Sequence, residues 1–325
     1  MVSVAMLGGT LVPEMESRGY KKPMSLGPIL GSGGLAMMIP PSGLAVLLGA
    51  IGEISIGKIL IAIIIPGLLM AVLYASYIII RSMLQPSVAP AYDVSPVPLS
   101  HKLLNTARYI LPVGFIIFLV VGVIFAGVAT PTEAAATGAL GTIILAAFYG
   151  RLKWQMAKKA LVGTLQISVM ILMILTASKI FSQILSFSGV AMGLAEFAAG
   201  LPILPILILI GMQVVLLILG MFMDIASIMM VTLPIFMPVV MVLEFNPVWF
   251  AVIYLLNMEM ATTTPPLGLS LYTMKSVAPA DTTMGDVYKA AVPFLICDLV
   301  AIALIMAFPQ IALWLVTLMR PMLAR

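Results

Sequence analysis

Charge is what this sequence has least of. Only 9% of its 325 residues are Asp, Glu, Lys or Arg, against 62% that are hydrophobic. A soluble domain carries about 25% charged residues, and far fewer than that leave its surface unable to face water. Cysteine is nearly absent: Cys297 stands alone, which excludes a disulfide within the chain and suits a small packed side chain. Histidine also occurs once, as His101 in a basic loop, and there is no HExxH, so zinc-hydrolase chemistry has no ligands. The net charge of +4 is not gathered into a basic face or stripe, so nucleic acid is not an expected partner.

What is present is long apolar chain. The runs 59–80, 109–127, 134–149, 247–272 and 291–319 approach or exceed the roughly 20 residues that cross a bilayer. The expectation is an all-α polytopic membrane protein forming a single membrane domain over 1–325. Twelve of the 16 Lys and Arg residues fall in the segments 18–22, 81–108, 151–159 and 275–289, read as cytoplasmic by the positive-inside tendency. The stretch Gln85–Leu99, with Pro86, Pro90, Pro96 and Pro98, reads as an extended loop. The 26 methionines scatter over the spans, which suggests pliable packing rather than a metal site.

The chain repeats one pattern. Near the start an apolar segment ends at Pro13, a short loop follows, and the next segment is broken by Ile39-Pro40-Pro41-Ser42. Near the end, 221–240 is followed by the loop 244–247 and by a span broken at Thr264-Pro265-Pro266-Leu267-Gly268. The first loop is basic and the second has no Lys or Arg, so the two units face opposite sides as an inverted repeat. This divides the chain into a partial first repeat at 1–58, connecting spans at 59–200, a second repeat at 201–275 and a C-terminal span at 276–325.

A proline in a helix interior costs about 3 kcal/mol and removes an amide hydrogen. Unwound backbone at membrane depth must therefore line a protein-walled or watered cavity. Carbonyls freed beside the hydroxyls of Ser42, Thr262, Thr263 and Thr264 are hard oxygen ligands for an alkali cation, and the half-helices that follow offer positive dipole ends to an anion. Broken helices at matching places of an inverted repeat point to a transporter's binding site.

At these residues the chain resembles the large membrane subunit of tripartite ATP-independent periplasmic (TRAP) transporters. The matching stretches are RGY at 18–20, IPPSGLAVLLGAIGEISIGKIL at 39–60, GVATPTEAAATGA at 127–139, GMFMDIASIMMVTLPIFMPVV at 220–240 and TPPLGLSLY at 264–272. The resemblance implies two re-entrant hairpins, two discontinuous helices and an elevator-like movement against a scaffold. It implies sodium, as the coupling ion, at Ala36 and Pro41 and at Gly220, Asp224, Thr264 and Gly268, with substrate facing Ser42, Asn257, Thr262 and Thr263. It further implies a small four-helix membrane subunit, a periplasmic substrate-binding protein, and import of a small organic acid across a bacterial inner membrane. Many members have glycine where this chain has Ala36. Members also continue upstream of the equivalent of Met1 with further spans and the tip of the first hairpin, so the chain alone is expected to insert without transporting.

Five ionisable residues stand within or beside apolar segments. Asp224 reads either as a sodium ligand or as the N-cap of the helix after it. Glu259 reads either as a cavity-lining group or as a partner of Lys179, and Asp298 as a hydrogen-bonding residue between spans. Glu133, in Thr130-Pro-Thr-Glu, reads as a capping box. An intramembrane protease lacks its motif here, so no enzyme is expected. The rivals to a binding-protein-dependent transporter are an inert scaffold or fragment, a passive channel, and a sodium-coupled carboxylate transporter working without a binding protein.

Overall fold

The computed structural model describes residues 2–92 and 98–319; Met1, Pro96, Arg320 and Arg325 lie outside the described residues. Every described element is helical. In order these are α1 (Val2–Ser17), α2 (Lys22–Met38), α3 (Gly43–Ile51), α4 (Ile56–Ala62), α5 (Ile64–Leu84), α6 (Leu99–Asn105), α7 (Leu111–Phe125) and α8 (Pro131–Phe148). Then follow α9 (Trp154–Phe187), α10 (Val190–Ala199), α11 (Pro205–Gly220), α12 (Ile225–Val242), α13 (Pro247–Thr263), α14 (Leu269–Val277), α15 (Met284–Ala307) and α16 (Gln310–Leu318). Six of the described helices or joined helices are long and apolar enough to cross a membrane, seven if α2 and α3 count as one span bent by 48°.

Local chemistry sets many of these boundaries. Thr130 and Glu133 close the expected capping box at α8, and Thr283 with Asp286 forms a second at α15. Side-chain caps also come from Ser42, Ser55, Asp224 and Asn246, each accepting from an otherwise free first-turn amide. Two expectations from proline differ from the structure. Pro13 does not end its segment, because α1 runs on to Ser17. The run 291–319 is two helices, α15 and α16, parted at Phe308-Pro309. Single prolines inside helices are tolerated where a neighbour meets the freed carbonyl. In α12, Pro234 leaves Met230 without its amide partner, and the Ser178 hydroxyl of α9 donates to that carbonyl at 3.4 Å.

The core is built on α13. Every residue from Val248 to Thr263 is buried, as suits a helix apolar all round. Helices α2, α5, α11 and α15 pack closely around it or around one another. Small residues allow this. A Cβ on Gly27 of α2 would stand 2.7 Å from the Phe294 ring of α15, one on Gly31 would stand closer still, and one on Gly34 would overlap the Glu259 carboxyl. Helices α6 to α9, by contrast, keep most of their large apolar side chains exposed, a surface that has to meet lipid or another subunit.

Ion pairs and loop contacts fix which ends lie together. Lys22 pairs with Asp281 at 2.7 Å, and its ammonium holds the Asp281 carboxyl below the usual range. The Lys21 amide donates to Val88, the Arg18 guanidinium lies over the Tyr92 ring, and the Tyr149 hydroxyl donates to the Arg108 carbonyl. The basic segments thus cluster at one end of the bundle. Lys179 pairs with Glu53 near the α12–α13 loop at the other. The α1–α2 loop and the α12–α13 loop lie at opposite ends, as an inverted repeat requires. The exchange is reciprocal: α1 packs on α14, and α12 packs on α3.

Replacing Gly31 by Leu should wedge α2 from α15 and destabilise the purified protein by about 1–3 kcal/mol, the cost of overpacking. The same change at Gly114, where a Cβ meets nothing within 4 Å, should leave the melting temperature within error. Equal melting of the two variants would contradict the α2–α15 packing.

Candidate functional site

The two breaks align as IPPSGL at 39–44 and TPPLGL at 264–269. A helical carbonyl accepts from the amide four residues on, and proline has none. Pro40 and Pro41 therefore free the carbonyls of Ala36 and Met37, and Pro265 and Pro266 free those of Ala261 and Thr262. Both breaks contain a cis peptide bond, Pro40–Pro41 and Pro265–Pro266. The Thr264 amide turns back to Ala261 at 3.3 Å, which leaves Thr262 as the unreplaced carbonyl of the second break.

A cavity of about 370 Å³ lies where these pieces meet, lined by Met37 and Leu44 beside the first break, by Ala261, Thr262, Leu269 and Ser270 beside the second, and by Gly220 with 223–226 from the α11–α12 tip. Met37 and Thr262 hold equivalent repeat positions, and so do Leu44 and Leu269. The tip approaches closely because both facing residues are small: a Cβ on Gly220 would overlap that of Ala261. Asp224 reaches the cavity wall while capping α12, accepting from the Ser227 amide at 3.0 Å and its hydroxyl at 2.5 Å. Its two readings from sequence are thus geometrically compatible. Thr262 donates to the Glu259 carbonyl at 2.9 Å and lies 3.3 Å from the Ser270 hydroxyl.

Gly268 shapes the second break from behind. A Cβ there would lie 2.6 Å from the Thr262 carbonyl and 2.9 Å from that of Thr264, and both are backbone atoms. Its repeat equivalent, Gly43, has nothing within 4 Å. The first break is the more open one, with Ala36, Ile39 and Pro41 all exposed. Helix α14 has no side-chain cap, so its first amides, beside Leu269 and Ser270, remain free to meet an anion.

Several residues singled out from sequence stand elsewhere. Asn257 faces α11, its amide nitrogen donating to the Gln213 carbonyl at 2.8 Å and side-chain oxygen at 3.0 Å, and does not line the cavity. The Ser42 hydroxyl caps α3, while those of Thr263 and Thr264 return to Met260 at 3.0 and 2.7 Å. Ala36 and Pro41 are not among the lining residues either. Glu259 neither lines the cavity nor meets Lys179: it lies against Tyr74 and Gly34, and Lys179 takes Glu53. Asp298 does hydrogen-bond between spans, to Tyr74. Sequence reasoning missed Met37, Leu44, Leu269 and Ser270; aligning the two Pro-Pro motifs to each other would have found Met37, the repeat equivalent of Thr262.

A family model described as "Tripartite ATP-independent periplasmic transporter, DctM component" matches residues 1–311. The chain is 30% identical to a C4-dicarboxylate TRAP transporter large permease protein of Pseudomonas aeruginosa, over 96% of this chain and 71% of that one. It is 30% identical to an ectoine TRAP transporter large permease protein of Halomonas elongata, over 96% and 72% of the two chains. A sialic acid TRAP transporter permease protein of Haemophilus influenzae is 29% identical, with 97% of this chain matching half of that longer protein (50%).

A substitution pair tests the geometry. Gly268→Ala should lower the melting temperature of the purified protein, because backbone has to move, whereas Gly43→Ala should leave it within error. Equal melting of the two variants would contradict the close backbone approach at the second break.

Proposed function

Because the chain belongs to the DctM family of tripartite ATP-independent periplasmic transporters, and is a multi-pass inner-membrane transport component rather than an enzyme, we propose that it couples sodium entry to the import of a small carboxylate. The observation that carries this reading is the cavity in which the α11–α12 tip, the freed Thr262 carbonyl and the uncapped start of α14 converge. Sodium takes oxygen from the Asp224 carboxylate, the Thr262 carbonyl and the Ser270 hydroxyl. The carboxylate of the cargo takes the free amides of α14. The cargoes named for the three relatives above, C4-dicarboxylates, sialic acid and ectoine, all bear a carboxylate, and the isethionate named for another carries a sulfonate in its place, which supports a small organic acid as the class for this chain.

Cation binding and tip closure form one event in this reading. A sodium ion held between Asp224 and Thr262 draws α12 onto α13, and the tip then covers the cargo. Helices α2, α3, α13 and α14 travel together against α7 to α10. The exposed apolar surface of α6 to α9 is where a small membrane subunit would brace the scaffold, and a periplasmic binding protein would deliver the cargo.

Asp224→Ala should lower sodium-driven uptake at least tenfold in proteoliposomes holding the complete transporter with its small subunit and binding protein, with insertion unchanged. Unaltered sodium activation in that variant would sink the assignment. Full-rate uptake without the binding protein would favour a carrier that takes free cargo.

A further inference from the structure

Behind the cavity, where α13 crosses α2, lies a polar group that the transport reading does not use. Glu259 and Asp298 are each 1% exposed, and both reach the single phenolic hydroxyl of Tyr74 on α5. The contact to Glu259 Oε1 is 3.1 Å, and Tyr74 also bonds Asp298 Oδ1. Glu259 Oε2 is buried with no hydrogen-bond partner among the described residues. None of the ion pairs among the described residues includes either carboxyl.

The hydrogens do not balance if both acids are ionised. A phenol has one hydrogen, and a carboxylate only accepts. Tyr74 satisfies one of its two acid contacts as donor; the other is then oxygen against oxygen, with no basic side chain paired to either acid among the described residues. Two like charges sharing such a site are strongly disfavoured. One added proton repairs both faults: either acid donates to the Tyr74 oxygen, and Tyr74 donates to the other. We propose that Glu259, Tyr74 and Asp298 form a proton-binding site, and that one proton shared across it is a ligand of the folded crossing, separate from the cation cavity.

The surroundings favour a proton over a metal ion. Gly34 closes the space beside Glu259, since even a Cβ there would overlap Oε1. From α5 only Tyr74 faces the site, with Tyr77 against Phe294 and Arg81 a turn beyond. From α15 come Asp298 and Cys297, whose thiol points to the Leu73 carbonyl. Of the other helices on α13, α2 carries only Lys22, at its first position, α4 only Lys58, and α14 only Tyr272 and Lys275; α3, α11, α12 and α16 carry no titratable group. The site joins the cavity through Thr262, whose hydroxyl donates to the Glu259 carbonyl. Loss of the proton sets two charges against each other at the base of the second break.

Infrared spectroscopy of the purified protein reads the proton directly and does not depend on transport. The parent should show the carbonyl stretch of a protonated carboxylic acid at neutral pH, and both E259Q and D298N should lose it, because either amide leaves one acid ionised with Tyr74 as its donor. No such band in the parent, or a band that survives in both variants, would overturn the shared proton. Should either variant fail to fold, Y74F decides: the band should shift as the acid loses its hydrogen-bond partner, and an unshifted band overturns the proposal. In sodium-driven uptake the parent should lose activity reversibly as pH rises, and D298N, which has no such proton to lose, should show a flattened alkaline limb. The same limb in both would refute the link to the cavity.

Discussion

A backbone that unwinds inside a bilayer has to be enclosed, because lipid offers no partner for a freed amide or carbonyl. The second break follows this constraint closely. It ends α13, the one helix among the described residues that is buried along nearly its whole length, so the Thr262 carbonyl opens into protein rather than lipid. The same requirement explains why small residues, rather than large apolar ones, occupy the closest crossings. Gly220 on Ala261, Gly34 on Glu259, and Gly27 and Gly31 on Phe294 bring backbone near backbone, as helix contacts in membranes require.

Enclosure also leaves the polar groups of α13 to be met by its neighbours, and four of them each meet one. The Trp249 indole donates to the Ile305 carbonyl of α15 at 2.8 Å, the Tyr254 hydroxyl lies 2.8 Å from Thr232 of α12, Asn257 takes Gln213 of α11, and Glu259 takes Tyr74 of α5. These bonds divide the helix lengthwise into anchored rungs that end one turn before the break. Beyond Glu259 the hydroxyls of α13 turn back on the helix itself, and at Thr262 the Ser270 hydroxyl of α14 bonds across the break. Hairpin arm α12 adds a second boundary at Asp224, whose cap fixes the helix start against the same cavity.

Much of this is legible in the sequence because the signals are local. A Pro-Pro pair states a break within two residues, Thr130 and Glu133 state a helix start within four, and the contrast between the loops 18–22 and 244–247 states inversion. The failures are non-local. Asn257 sits in a helix apolar on every side, so periodicity gives no face, and nothing in its neighbourhood shows that it meets Gln213. Glu259 finds Tyr74, 185 positions away in the chain, and a tyrosine carries no charge that would mark it as a partner. Lys179 and Glu259 look like partners in sequence because both are charges in apolar surroundings, yet Lys179 meets Glu53 in a loop. Pro13 looks like a stop signal and is none, since one proline within a packed helix is tolerated far more easily than two in succession.

Closure of the α11–α12 tip over the second break on binding sodium is the claim on which the rest of the functional account depends. Amide hydrogen exchange of the reconstituted protein, with sodium and with potassium at equal ionic strength, tests it most directly. Sodium, and not potassium, should slow exchange at 220–228 and 262–271 together and leave the interior of α13 unchanged. Sodium protection at one of the two segments without the other, or equal protection by potassium, would contradict it.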